Sequence, residues 1–292
     1  MTDKTIQFFW IFIFLFAHCL SNAQERDSPC YIFDRADSLF VARDFARAAL
    51  EYERVIYRAA TTPDVVNTAL FGRVQCFKQM QQFDKASEEL LRVRLFTLNP
   101  SQAADYYYEK ILCYYLSGSF NEARGAIDEM YFNMPDSAAC NATLLLQAFI
   151  YNELQQWDEA RQAALIYART LPSPQQESME AMIEQLYAKK NLPKLKRRNV
   201  SKVLSFVPGL AHIYTGHWAE GSISFLLNSA ALGIGVYEVW HGYYVTGYFL
   251  GAGILSATYF GGFSRSAFLL QKYNDEVVRL FNNHVKKELL AQ

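Results

Sequence analysis

Two short constellations near the C-terminal end bring titratable side chains into helical register: His217 with Glu220, and Glu238 with His241. Residues three apart share a helix face, so either pair could begin a proton relay or half of a metal site. Two ligands do not complete a metal site, and the second pair sits beside a His241-Gly242 break, within reach of interfacial water. The chain carries no phosphate-cradling Gly-Lys loop, no zinc-type Cys or His pair, no Gly-x-Ser-x-Gly elbow and no His-Glu-x-x-His. The expectation is no catalytic residue, no metal and no cofactor, and a protein that is not an enzyme. A formal net charge of -1 over 292 residues also leaves no footprint for nucleic acid.

The elements around these residues follow a repeat. An aromatic is followed three residues later by alanine at Phe45/Ala48, Phe83/Ala86, Phe120/Ala123 and Trp157/Ala160, with the alanines 38, 37 and 37 residues apart. A fixed period of this size predicts stacked helical hairpins. The turn of each hairpin falls just before the aromatic, at 42–44, 80–82, 117–119 and 154–156. The alanine then lies where two helices cross closely and a larger side chain would push them apart. Pro100, Pro135 and Pro172 follow the second, third and fourth alanines at distances that would stop a helix of about three turns. Cys76 and Cys113 occupy equivalent places in adjacent repeats, roughly 10 Å apart. A disulfide needs Cα atoms within about 7 Å, so the two read as buried small apolar residues.

The aromatic-x-x-Ala core, its apolar neighbours and the terminal prolines resemble the tetratricopeptide repeat family over roughly half the chain. The resemblance implies about four repeats with a final capping helix across 24–190. It also implies a concave groove lined by the first helix of each unit. Phe33, Phe40, Phe71, Gln75, Tyr108, Tyr115, Phe149 and Asn152 would then point into that groove, which would suit an extended peptide or a helix of a partner protein.

The remainder, 191–292, has a different composition. Between Val203 and Ser264 the only formal charges are Glu220 and Glu238, and eleven of the 14 glycines lie between Gly209 and Gly262. Two apolar runs of about 20 residues, Ser222–Trp240 and Tyr243–Phe263, predict a transmembrane helical hairpin. Ser229/Gly233, Ala231/Gly235, Gly247/Gly251 and Gly253/Ala257/Gly261 are spaced for close helix packing, either within the chain or between copies in a homo-oligomer. Basic residues flank the pair: Lys194, Lys196, Arg197, Arg198 and Lys202 before it, Arg265, Lys272, Arg279, Lys286 and Lys287 after it. They suit anionic lipid headgroups. From Ser264 the tail reads as an amphipathic helix. Pro208, Gly209, Tyr214, Gly216 and Gly221 resemble the entry motif of small bacterial two-transmembrane-helix domains. The chain departs from that motif at Ala211 and lacks the acidic residue often found in the second helix.

At the N-terminus, Lys4, the apolar run Ile6–Leu20 and Ser21-Asn22-Ala23 predict a signal peptide over 1–23. The fold class is all-α: a repeat solenoid followed by a transmembrane hairpin. The expected role is a membrane-anchored scaffold of a bacterial inner membrane with the repeats facing the periplasm. The basic flanks favour the opposite, cytoplasmic placement. The alternative role is a component of an oligomeric transport or insertion complex in which the hairpin is the active part.

Overall fold

The computed structural model describes residues 28–134 and 138–291; the predicted signal peptide and Pro135 lie outside them. The described residues contain helices and no strand. The chain divides into two compact units, Met1–Ser178 and Met179–Gln292, a boundary earlier than the 190/191 division expected from the sequence.

The first unit contains helices α1 (Pro29–Val41), α2 (Phe45–Arg58), α3 (Pro63–Gln79), α4 (Phe83–Leu90), α5 (Pro100–Leu116), α6 (Phe120–Asn133), α7 (Ala138–Glu153) and α8 (Trp157–Arg169). They pair in chain order as four hairpins. The second helix of every hairpin begins on the repeat aromatic, and Ala48, Ala86, Ala123 and Ala160 are all fully buried. The interhelical turns repeat in the backbone as well. Arg43, Gln81, Gly118 and Gln155 take left-handed φ values of 61°, 58°, 80° and 59°. The N–H of each of these residues, and of the residue after it, donates back to carbonyls of the last helical turn, closing the helix.

The prolines act differently from the expectation. Pro63 and Pro100 open the next helix instead of stopping the previous one, because the missing N–H is unsatisfied there in any case. Asn99 and Gln102 form a reciprocal capping box around Pro100, at 2.9 and 3.1 Å. Helix α4 is short, and its connection to α5 includes a 3₁₀ turn, Leu95–Thr97. Asn67 orders this connection from inside: its Oδ1 accepts from Arg94 N at 3.0 Å and its Nδ2 donates to Thr97 Oγ1 at 2.8 Å. The buried amide is thus satisfied, as burial requires.

Helix α9 (Ser173–Leu186) carries the unit boundary. The second unit continues with α10 (Arg198–Leu204), α11 (Leu210–Tyr214) and α12 (Trp218–Trp240). A short helix α13 (Tyr244–Gly247), a π-helical stretch (Tyr248–Gly253) and the long α14 (Ile254–Leu290) follow without a break. Among the described residues, only α12 is long and apolar enough to cross a membrane. The second predicted run is helical but divided by the π-helical stretch, which Gly247 precedes and which contains Gly251 and Gly253. That stretch packs closely on α12: a methyl group on Gly251 would lie 2.5 Å from the Gly235 Cα, so the helices touch backbone to backbone.

Candidate functional site

In the first unit, α3 and α5 are bridged by polar side chains. Glu109 accepts from Gln75 at 3.0 Å and from Lys78 at 2.5 Å. Toward the N-terminal ends of the same helices lies a pocket of about 180 Å³ lined by Asp64, Asn67, Phe71, Gln102 and Asp105. Phe71 is therefore a wall of a concave site, whereas Gln75 is occupied within the chain. Other charges nearby are paired, as Arg73 is with Glu53 and Glu89. Asp64 and Asp105 are exposed at the rim of the pocket.

The remaining predicted groove residues divide by exposure. Tyr108 is 39% exposed and open to a partner. Phe33 stacks edge-on against Tyr52 at 5.6 Å and Phe40 against Phe45 at 5.4 Å, each half-buried. Tyr115 packs between Phe120 and Phe149. Phe149 and Asn152 are buried and offer a partner no surface. They correct the expectation that all eight side chains face a groove, because Phe and Tyr at helical spacing also build the core. Asn67 was not anticipated; a polar residue inside an apolar helical pattern was its signal in the sequence.

The cysteines behave as small core residues. Cys76, Cys113 and Cys140 are buried and unbridged, and Cys30 is exposed. Burial pushes the Cys76 thiol up to about 11 and the Cys113 thiol up to about 12, far from reactive thiolate character.

In the second unit the entry motif forms one packed corner. Gly209 has φ +86°, and a methyl group there would collide with the Gly221 carbonyl. A methyl on Gly221 would lie 2.7 Å from the Gly209 oxygen and from Ile213 Cγ1. The two glycines thus fasten the start of α11 to the start of α12. Gly216 is glycine for its backbone alone: its φ is +92° and nothing crowds it. Tyr214 accepts from the Arg197 N–H at 3.2 Å through its hydroxyl, and its carbonyl accepts from Lys196 Nζ. The Lys196 ammonium also lies 3.7 Å from the Tyr273 ring centre, and burial lowers its pKa. Pro208 lines a minute cavity with Ser205, His212, Thr258 and Ser266.

The polarity of residues 201–266 is inverted, whereas Leu269, Leu270, Val278, Val285 and Leu289 further along α14 are buried in the ordinary way. Ser201, Ser205, His212, Thr215, Asn228 and Ser266 are buried. Ser205 and Ser266 hydroxyls meet at 2.8 Å, and Thr258 donates to Asn228 at 2.9 Å. Phe225, Leu226, Leu227, Val236, Val245 and Phe249 face outward. The buried stripe of α12 is only Gly221, Asn228, Ala231 and Gly235. Two predicted small-residue pairs, Ala231/Gly235 and Gly247/Gly251, are consumed within the chain, whereas Gly233 and Gly261 have open space beside them. An open groove of about 660 Å³ runs between α12 and the helix after it, walled by Leu232, Val236, Trp240 and Tyr248.

The titratable pairs each find partners outside the pair. Glu220 pairs with Arg265 at 3.0 Å, and His241 bonds the Tyr237 carbonyl. Among the described residues, no group of three or more His, Cys, Asp or Glu is placed to hold a metal. No family model, curated protein or solved structure matches this chain.

Proposed function

We propose that the chain is a membrane-anchored adaptor. A tetratricopeptide-like solenoid binds a partner protein, and a transmembrane hairpin built on α12 and the helix after it holds the solenoid at the bilayer. The observation that carries this reading is the inverted polarity of residues 201–266, with serines and an asparagine inside and leucine, valine and phenylalanine outside. Water would oppose that arrangement at roughly 25 cal/mol for every Å² of apolar surface left exposed, whereas a bilayer accepts it. Helix α12 has 23 residues, about 35 Å at 1.5 Å each, enough for a hydrocarbon core of about 30 Å.

The repeating hairpins support the binding half, with Phe71, Tyr108 and the acidic rim of Asp64 and Asp105 as the contact surface. A neutral or basic partner segment fits that rim. The membrane is read as a bacterial inner membrane with the repeats in the periplasm. The test is site-specific photo-crosslinking in cells from positions 71 and 108. A discrete crosslinked protein, lost in the Tyr108→Ala and Asp105→Lys variants, is the expected result. Crosslinks that ignore both substitutions would sink the groove reading.

A further inference from the structure

We propose that α10 and the turn after it lie in the membrane interface and bind anionic phospholipid, which makes this segment a second anchor beside the spanning helices. The inference rests on the reading of α12 as a span.

Helix α10 has three distinct stripes. Ser201 and Ser205 face inward, where Ser205 meets Ser266 of α14. Val200, Val203 and Val207 form a second stripe at three- and four-residue spacing, with Phe206 beside it. All four are exposed, Val203 at 67% and Phe206 at 70%. Arg198 and Lys202, one turn apart, form the third stripe, and Arg197 precedes them; all three are exposed. In water a seven-residue helix would bury its valines and show its serines. Here the order is reversed, so the outer face meets an apolar medium.

Two features make that medium a leaflet rather than a protein. First, α10 is held at the level of one end of α12. Gly209, five residues after α10 ends, is clamped backbone to backbone against Gly221, the fourth residue of α12. The apolar stripe therefore lies at the level of one end of the span, where headgroups lie. Second, the basic stripe lies across the helix from the apolar one, the pattern by which a helix lies flat with its apolar side in the acyl boundary and its cations among anionic headgroups. Lys196 takes no part, because its ammonium is held against the Tyr273 ring and the Tyr214 carbonyl. On α10 and at the residue before it, that withdrawal leaves Arg197, Arg198 and Lys202 as the lipid contacts.

The test uses the full chain with its native cysteines replaced, in nanodiscs, with a nitroxide at position 206 or 227. Collision with oxygen and with a water-soluble nickel chelate gives depth. The expected result is a deep label at 227 and a shallow but oxygen-favoured label at 206. A deep 227 with a nickel-exposed 206 overturns this inference and leaves the span intact; nickel exposure at both positions overturns the membrane reading as well. A second readout is the association of spin-labelled phosphatidylglycerol against phosphatidylcholine. A several-fold preference for phosphatidylglycerol should fall to near parity in the combined Arg197→Gln, Arg198→Gln, Lys202→Gln variant. An undiminished preference would assign it to other residues and refute the proposed site.

Discussion

The hairpin turns of the first unit give a prediction in which the sign itself is the test. Each turn places one residue in the left-handed region, and the sequence puts glycine there once, at Gly118, and side-chain-bearing residues three times, at Arg43, Gln81 and Gln155. A left-handed conformation costs an L-residue roughly 1–2 kcal/mol. Glycine avoids that strain but forfeits about 0.5–1 kcal/mol in backbone entropy. The net expectation is that Arg43→Gly, Gln81→Gly and Gln155→Gly each stabilise by about 0.5–1 kcal/mol. Gly118→Ala should destabilise by a similar amount. No steric term enters at Gly118, because a methyl there meets nothing within 4 Å. The three exposed sites lie in separate hairpins, so their effects should add to roughly 1.5–3 kcal/mol. The assay is urea unfolding of the purified full chain in detergent, followed by far-ultraviolet circular dichroism. If glycine destabilises at all three positions, these residues are in ordinary helical or extended backbone and the turn geometry is wrong.

Other outcomes follow from the packing. Gly235→Val should part α12 from the following helix and lower the detergent melting temperature, whereas Gly233→Val, beside open space, should leave it nearly unchanged; equal effects would place the helix contact elsewhere. Gly209→Ala should be more damaging than Gly216→Ala in the same assay, since both lose a left-handed glycine but only the first also strikes the Gly221 carbonyl. At pH 8 a maleimide should modify Cys30 in the native chain and reach Cys76 and Cys113 only on unfolding; fast native labelling of either would contradict their burial. Because folding raises both thiols from an ordinary 9.0 to about 11 and about 12, their contribution to stability is complete below pH 9 and is lost as pH rises toward 12. Serine at both positions should flatten that alkaline decline in stability.

The hairpin positions were legible because periodicity survives any change of partner: four aromatics and four alanines mark four helix starts and four crossings. The roles of the prolines were not, since a proline between helices is compatible with ending one or beginning the next, and only Asn99 and Gln102 on either side of Pro100 decide it. Groove and core could not be separated for Phe149 and Tyr108, because both positions fall on the first helix of a repeat and only the packing decides which is buried. In the second unit composition gave the apolar runs. It did not reveal which glycines face each other, nor that Ser201 and Ser205 turn inward while Val203 turns out, because those facts depend on how α10 meets α14.

The central claim, that α12 and the helix after it cross a bilayer and return as a hairpin, is tested most directly by compartment-specific labelling. Single cysteines at Tyr243 and Lys287, in an otherwise cysteine-free chain, would be exposed to an impermeant maleimide in intact and in opened cells. The account predicts Lys287 labelled from outside the inner membrane and Tyr243 protected until the cells are opened. The exchanged pattern would keep the span and move the repeats into the cytoplasm. Labelling of both positions from the same side would contradict the claim, because no helix would then cross between them.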